Sequence, residues 1–189
     1  MHPILKHLNL KRAQMVGDKI LPLIEDGDSV LDFGCGSMVI SKYISSKRNI
    51  DLTGVDVIDI KIKDARYVKY DGRKLPFKDN QFDVVIAIFV LHHTDNPDFF
   101  LNELRRVSKK KIILCEDTYT NEIGKIVTKL FDWICNVPFR SCVGKNFKSI
   151  LEWKYLFKKN ILTLMTLKRI YLYPISFLPI KNVIMELKK

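Results

Sequence analysis

The sequence predicts an α/β fold, a doubly wound sheet of seven strands that is parallel except for an antiparallel edge strand, with helices on both faces. Five short apolar runs recur between residues 29 and 117, and most of them end in an acidic residue or a glycine. Segments with helical periodicity precede, separate and follow these runs. Two later β-like runs, 162–171 and 181–187, complete the set and predict an antiparallel hairpin at the edge.

The first strand leads directly into a glycine-rich turn. Residues 29–33 read Ser-Val-Leu-Asp-Phe, and Gly34-Cys35-Gly36 follow at once. Glycine reaches backbone angles that other residues avoid, so a ligand can approach the main chain closely there. The N–H groups that open the next helix then face that ligand. This turn predicts a bound nucleotide-like cofactor.

The next strands end in polar residues at the same sheet edge. The run 52–56 ends in Asp56, 24 residues after Asp32, where a βαβ nucleotide site places its ribose-binding acid. The run 67–72 ends in Asp71 and Gly72. Residues 82–91 are almost continuously apolar, as expected of a central strand that is buried on both faces. The run 111–117 supplies a fifth strand that again ends in carboxylates.

Four ordered motifs make the chain resemble the small class I S-adenosylmethionine (SAM)-dependent methyltransferases of the type 11 group, which have a Rossmann-like sheet. The motifs are VLDFGCG at 30–36, TGVD at 53–56, YDGRKLPF at 70–77 and FDVVIAIFVLHH at 82–93. The resemblance implies that SAM is the cofactor and that its methionine part is flanked by Asp32, Gly34, Cys35 and Gly36. It further implies that Asp56 holds the ribose, that Asp71 and Gly72 address the adenine edge, and that Ile88 and Phe89 lie beneath the sulfonium.

Two features depart from that pattern. Met38 stands where the glycine-rich turn usually carries a third glycine, so we expect its side chain to crowd the turn or to press on the cofactor. Only 14 residues separate Asp56 from Asp71, whereas a parallel crossover normally needs a dozen or more residues in addition to its strands. We therefore expect the helix of this crossover to be shortened or lost, which leaves one side of the adenine pocket more open.

Length and composition predict one domain over residues 1–189, because no Pro/Gly/Ser-rich linker divides the chain. Residues 1–28 form an N-terminal helical segment in this interpretation, and the aromatic-rich residues 137–160 form an insertion or lid on the substrate side. Further helices are expected over 39–46, 97–107 and 121–136. The last is the most regular, and its apolar stripe is expected to pack against the sheet: Ile123, Ile126, Val127, Leu130, Phe131 and Ile134.

The four cysteines, at 35, 115, 135 and 142, show no C-x-x-C spacing, so the sequence predicts neither disulfides nor a zinc site. With no signal peptide evident, the expected location is cytoplasmic. No run of 18 apolar residues predicts a transmembrane helix. The net charge is +11, and residues 141–189 alone carry ten Lys/Arg against two acids. This excess is interpreted as a solvated basic face, with nucleic acid or an acidic or membrane-associated substrate as the alternatives.

The candidate catalytic residues are His92 and His93, which follow the fourth strand at the edge where open α/β sheets bind ligands. A histidine there can serve as a general base near neutral pH. The same pair also occurs in the resembling family as pocket structure. No metal ligand is assigned.

Three functions remain open on the sequence. The favoured one is a SAM-dependent methyltransferase that acts on a small-molecule or lipid-like acceptor, because the Asn/Asp-Pro-Pro-Tyr/Phe motif of amino-methylating nucleic-acid enzymes is absent. An RNA or DNA methyltransferase is the second, since the C-terminal charge allows it. The third is a non-catalytic, methyltransferase-like binding or scaffold protein, which Met38 and the short crossover permit. The acceptor, the methylated atom and the oligomeric state are not predicted.

Overall fold

The computed structural model describes residues 3–58, 65–136, 143–172 and 180–189. Seven strands form one sheet in the order β3-β2-β1-β4-β5-β7-β6. The strands are β1 (Ser29–Phe33), β2 (Asp51–Asp56), β3 (Arg66–Lys69), β4 (Phe82–Ile88), β5 (Ser108–Thr118), β6 (Thr163–Ile170) and β7 (Lys181–Lys188). The fold class predicted from the sequence is confirmed.

The antiparallel hairpin lies at the expected edge of the sheet. β7 pairs antiparallel with both β5 and β6, so it is the reversed strand, while β6 forms the edge itself. The other neighbouring pairs are parallel. The strand order reverses between β1 and β4, and open α/β sheets bind ligands in the crevice at such a switch point.

The central strands are buried because helices cover both faces of the sheet. Val84, Val85, Ile86 and Ala87 of β4 are fully buried, as the continuous apolar run predicted. One core cluster packs around Phe33, Leu101 and Trp153, and the other packs around Val16, Ile86 and Ile184.

Three predicted helices are confirmed close to their expected bounds: α1 (Pro3–Ile20), α2 (Val39–Ser45) and α3 (Pro97–Val107). A short 3-10 turn, Leu21–Leu23, continues α1 towards β1. α3 begins as its sequence predicts, because the Asn96 side chain accepts a hydrogen bond from the Phe99 N–H at 3.0 Å and Pro97 occupies the first turn.

The helix predicted over 121–136 is present as α4 (Glu122–Asn136), but the predicted packing of its apolar stripe against the sheet is wrong. Ile123, Ile126, Leu130 and Ile134 are exposed, and Val127 and Phe131 are only half-buried. The buried positions are Gly124, Thr128 and Asp132, which recur every four residues. Small and polar residues therefore face the protein, and the apolar residues face outward.

The aromatic-rich segment after α4 contributes to the core. Within it, α5 (Ile150–Lys159) buries Trp153 and Phe157, and a capping box between Ser149 and Glu152 fixes its start. Three expectations fall on residues that lie outside the described ones: the shortened or lost crossover helix between β2 and β3 (59–64), the Pro174/Pro179 connection and the first part of the proposed lid (137–142). The side chains of Cys135 and Cys142 lie outside them as well. Cys35 and Cys115 carry free thiols. Among the described helices, none is long and apolar enough to cross a membrane.

Candidate functional site

The glycine-rich turn after β1 adopts the conformation that its sequence predicts. Gly34 has a φ of +64° and Gly36 a φ of +46°. A Cβ on Gly34 would lie 2.0 Å from a methyl carbon of Val90, so only glycine fits at this position. The Gly34 and Cys35 N–H groups donate to the Val55 carbonyl at 2.8 and 3.2 Å, which ties the turn to the end of β2.

Met38 does not crowd the turn, contrary to the expectation from the sequence, and its side chain lines neither of the two cavities at this edge of the sheet. It keeps the left-handed backbone of a glycine, with a φ of +56°, while its side chain is 1% exposed and packs beneath the turn against Gly54. A Cβ on Gly54 would lie 2.8 Å from the Met38 sulfur. The glycine of β2 therefore makes room for the methionine of the turn.

A first cavity, of about 390 Å³, opens at the carboxyl ends of β1 and β4. Its lining contains the four turn residues predicted to flank methionine and both residues predicted beneath the sulfonium: Arg12, Asp32, Gly34, Cys35, Gly36, Ser37, Val39, Ile40, Ile88 and Phe89. Its volume lies within the range of about 300–1,000 Å³ that is usual for small-molecule sites.

The carboxyl group of Asp32 is the acidic wall of the first cavity. It is 4% exposed, and burial raises its pKa to about 7. A hydrogen bond from Ser41 lowers the pKa and offsets part of that rise, while the nearby Asp56 adds a smaller rise. A cationic group beside Asp32 would therefore favour the carboxylate. Burial likewise raises the pKa of the Cys35 thiol, so this residue is a neutral wall of the cavity.

Arg12 of α1 is a cavity residue that the sequence analysis missed. Its guanidinium carbon lies 4.4 Å from the centre of the Phe89 ring, a cation–π contact, and both residues line the first cavity. Phe89 has a φ of +52°, an unusual conformation for a bulky residue. No local motif marks Arg12, because its proximity to the turn depends on how α1 packs on α2.

A second cavity, of about 520 Å³, lies beside the first and shares Gly34, Gly36 and Phe89 with it. Asp56 lies at its edge, 7% exposed. One carboxylate oxygen of Asp56 accepts from the Gly36 N–H at 2.8 Å, and the other accepts from the Val57 and Ile58 N–H groups at 2.7 and 3.2 Å. Asp56 therefore joins the glycine turn to the start of the short crossover.

The lining of the second cavity is mainly aromatic and aliphatic. It comprises Phe33, Gly34, Gly36, Asp56, Val57, Ile58, Tyr70, Gly72, Phe89, Val90, His93, Thr94, Asp95, Asn96, Phe99 and Phe100. Gly72 lies in this wall as the sequence predicts, whereas Asp71 is exposed, is not one of the lining residues, and accepts from the Arg73 N–H at 3.0 Å.

The loop that carries Gly72 is held by α3. Glu103 accepts from the Leu75 N–H at 2.9 Å, and Arg106 donates to the Leu75 and Phe77 carbonyls at 3.0 and 2.7 Å. Arg106 also pairs with Glu103 at 2.8 Å. These contacts with α3 hold the wall of the second cavity at Gly72 in place, independently of the short crossover between β2 and β3.

His92 and His93 have different surroundings. His92 is 1% exposed, is not among the lining residues of either cavity, and its Nδ1 pairs with Glu116 while its Nε2 lies 3.8 Å from Asp132. Burial alone would lower the pKa of His92, but the two carboxylates outweigh it and raise the pKa to about 10. The His92 imidazolium therefore joins β5 to α4, and Phe147 stacks on its ring at 4.5 Å.

Glu116 fixes the loop that follows β4. One of its oxygens accepts from the Val90 and Leu91 N–H groups at 3.2 and 2.8 Å, and the other pairs with His92. This fully buried carboxylate holds the cavity wall in place.

His93 is the histidine that lines the second cavity. Its side chain is 23% exposed, and its Nε2 lies 3.9 Å from the Asp132 carboxylate. His92, His93 and Asp132 also bring three potential metal-ligand atoms within 4.8 Å of one another, the one such group among the described residues. Both oxygens of Asp132 already have partners, because one lies near the two histidines and the other accepts a hydrogen bond from the Gly144 N–H at 2.6 Å.

Comparison with known proteins decides the family. Residues 31–115, from β1 to β5, match the model of a methyltransferase domain. This segment is a class I methyltransferase domain. The match contains the glycine turn, Asp56, Gly72 and the histidine pair. Apart from Arg12, the residues that line the two cavities therefore belong to the methyltransferase domain, a family that uses SAM.

Two curated relatives and one solved structure illustrate this similarity. The sterol 24-C-methyltransferase ERG6B of Gibberella zeae is 30% identical over 118 residues, which are 52% of this chain and 31% of that protein. The demethylmenaquinone methyltransferase of Thermotoga maritima is 27% identical over 92 residues, 44% of this chain and 40% of that protein. A geranyl diphosphate methyltransferase solved with SAM superimposes with a TM-score of 0.71 at 14% identity, over 95% of this chain and 84% of that one.

Proposed function

We propose that this protein is a SAM-dependent methyltransferase that transfers a methyl group to a small, lipid-like acceptor. The observation that carries the proposal is the pair of adjoining cavities at the switch point of the sheet, which share Gly34, Gly36 and Phe89. Asp32 lines the first cavity and Asp56 lies at the edge of the second, whose lining is otherwise mainly apolar. Such a pair suits an elongated cofactor with a charged amino-acid end and a nucleoside end.

The first cavity is assigned to the methionine end of SAM. Asp32 would accept hydrogen bonds from the ammonium group, and Arg12 would bind the carboxylate of the same amino-acid moiety. These two opposite charges line the same cavity, as the two ends of a zwitterion require. The cofactor fits the chemistry of the residues present.

The second cavity is assigned to the nucleoside end. Each carboxylate oxygen accepts more than one hydrogen bond, so Asp56 retains capacity for the ribose hydroxyls beside its backbone contacts. Gly72 and Tyr70 would bound the adenine, and exposed Asp71 would act at its outer edge. Ile88 and Phe89 would separate the sulfonium from the sheet.

The bound cofactor supplies an electrophilic methyl group on a sulfonium. The protein must align the acceptor with it, exclude water and, for an acceptor with a proton to lose, remove that proton. His93 is proposed as the proton acceptor at Nε2, with Asp132 stabilising the imidazolium that forms. His92 and Glu116 are positioning residues that hold the loop.

The acceptor is assigned to the part of the second cavity that His93, Phe99 and Phe100 line, away in sequence from the proposed nucleoside contacts, and the aromatic side chains there favour a lipid-like molecule. Phe99 is 42% exposed at its rim and packs on Phe100, so the cavity presents an aromatic surface to an incoming apolar molecule. The two curated relatives act on a sterol and on demethylmenaquinone by their names, which agrees with this class of acceptor.

The test begins with calorimetric titration of SAM and S-adenosylhomocysteine, with Arg12→Ala and Asp56→Asn beside the wild type. Micromolar binding that both substitutions weaken at least about tenfold supports the cofactor site, since a charge-assisted hydrogen bond is worth about 1.5–3 kcal/mol. Arg73→Ala, at an exposed residue of the Gly72 loop, is the matched control. No binding at millimolar ligand overturns the proposal and favours the scaffold alternative.

The acceptor class is tested next with radiolabelled SAM. Prenylated hydroquinones and sterols form one panel, and bulk tRNA and rRNA form the other. Transfer into the organic-soluble panel supports the proposal. Transfer into RNA alone, with binding that weakens steeply as salt rises, would favour the nucleic-acid alternative that the net charge of +11 allows.

A further inference from the structure

The outer face of α4 is an exposed apolar stripe. Its members are Ile123, Ile126, Leu130, Trp133 and Ile134, each more than half exposed. Soluble monomers rarely expose a contiguous apolar patch of this kind, and such patches usually mark an interaction surface. We call these five residues the α4 stripe.

The α4 stripe cannot turn inward without breaking the buried face of the helix. Asp132 lies on that face, next to His92 and bonded to the Gly144 N–H at 2.6 Å. Thr128 is also buried there, and its hydroxyl donates to the Gly124 carbonyl at 2.7 Å. A half-turn rotation of α4 would expose these groups and strip His92 of a carboxylate, so the outward orientation is a consequence of the fold.

The charges around the α4 stripe are mainly positive. Lys125 and Lys129 flank it. Of the two acids of α4, Asp132 is turned inward and Glu122 is exposed, 3.5 Å from the Lys125 ammonium. The Lys125 ammonium lies 5.5 Å from the centre of the Tyr119 ring, and the Tyr119 hydroxyl bonds Glu152 of α5 at 2.8 Å. The neighbouring segment is therefore α5 with the residues that precede it, 143–159. It contains one acid, Glu152, and five lysines: Lys145, Lys148, Lys154, Lys158 and Lys159.

An apolar stripe with a tryptophan and flanking lysines has the features of a helix that lies in a membrane interface. We propose that α4 docks in the plane of an anionic lipid bilayer, with the α4 stripe among the acyl chains and Lys125 and Lys129 at the phosphates. The net charge of +11 favours an anionic surface and opposes pairing with a second copy of the chain.

This docking would bring the active site to the bilayer. Asp132, on the buried face of α4, lies 3.9 Å from His93, which lines the second cavity. The bilayer would lie on one side of α4 and His93 on the other, so a lipid-like acceptor would have to move around only one helix to reach the cavity. That use of the surface rests on the proposed function, whereas the docking itself does not.

The test is flotation of the full chain with vesicles of phosphatidylcholine alone and of phosphatidylcholine with phosphatidylglycerol. We expect binding to the anionic vesicles that weakens as salt rises, together with a blue shift of tryptophan emission. Trp133→Phe should remove the shift, because Trp153, the second tryptophan, is fully buried. The pair Ile126→Ser and Leu130→Ser should weaken partitioning at least about tenfold.

Met165→Ser with Leu167→Ser, on exposed positions of β6, is the matched control and should leave vesicle binding unchanged. If the variant with both Ile126→Ser and Leu130→Ser bound vesicles as tightly as the wild type, or if the wild type showed no preference for anionic vesicles, the proposal would be overturned. Light scattering without vesicles tests self-association. A wild-type dimer that the variant with Ile126→Ser and Leu130→Ser no longer forms would overturn the docking proposal and show that the α4 stripe binds a second copy of the chain. SAM titration of the same variants keeps the two proposals separate, since lost cofactor binding with retained docking contradicts only the proposed function.

Discussion

The thioether of Met38 fills the space that Gly54 leaves open in the neighbouring strand. A Cβ on Gly54 would lie 2.8 Å from both the Met38 sulfur and the Cys35 sulfur. The turn therefore accepts a methionine in place of a third glycine because β2 carries the glycine instead. The two residues form one packing unit beneath the cofactor cavity.

Gly54→Ala tests this pairing. We expect it to lower the free energy of unfolding by about 1–3 kcal/mol, because the added methyl group overpacks the site. In a Met38→Ala background the same change should cost less, since only the Cys35 sulfur then remains of the three atoms nearest to the added methyl group. Urea denaturation of the four proteins of this cycle measures the coupling. Strictly additive effects would contradict the packing relationship.

Asp32 predicts a pH dependence of stability. Its folded pKa, raised to about 7, exceeds its ordinary value near 3.8, so the folded state binds the proton more tightly than the unfolded state. The contribution of Asp32 to stability is therefore greatest below pH 4 and falls as pH rises to about 7. Asp32→Asn should be more stable than the wild type at pH 8 and should lose that advantage near pH 4, as thermal denaturation would show.

The same carboxyl group predicts how SAM affinity varies with pH. A bound ammonium would favour the Asp32 carboxylate, so wild-type affinity should rise as pH increases through 7, with proton release on binding. Asp32→Asn should bind weakly and without this dependence. Asp26→Asn is the control, because Asp26 is exposed, lies outside both cavities and has no proposed role in binding. An identical pH profile in wild type and Asp32→Asn would contradict the assignment.

His92→Ala should destabilise the fold by about 3–5 kcal/mol, because Glu116 and Asp132, buried at the two nitrogens of the imidazole ring, lose this cation. The raised pKa of His92, about 10 against an ordinary 6.5, gives a stabilising contribution that is complete below pH 6.5 and is lost as pH rises through 10. His92→Gln should flatten the fall in stability over that window. An unchanged pH profile of unfolding would show that the ion pairs do not form.

His93→Gln separates catalysis from structure. For an acceptor that must lose a proton, we expect kcat to fall about 10²–10⁴-fold with SAM affinity unchanged. The residual rate should lose the pH dependence of the wild type. Asp95→Ala, in the same cavity wall, is the control and should retain kcat. An unaltered kcat in His93→Gln would contradict the role of His93 as proton acceptor and would leave the alignment of the acceptor with the methyl group as the source of catalysis.

Much of the cofactor side could be predicted from local patterns. Gly34 and Asp56 are determined by strand–turn chemistry within a few residues, and the structure places them together because parallel strands end at one edge. The helix start at Asn96 was predicted for the same reason, since its cap depends only on adjacent residues. Arg12 could not be found this way, because its place in the cavity depends on the packing of two helices distant in sequence.

The strands, the glycine turn and the order of the motifs follow from local sequence, because each depends on backbone conformation and hydrophobic period over a short window. The buried face of α4 depends instead on contacts between distant segments. Its period predicted an inward apolar stripe, but the His92 cation needs the Asp132 carboxylate, and a buried ion without its partner costs more than an exposed apolar face. The location of Met38 was likewise decided by Gly54, a residue of another strand.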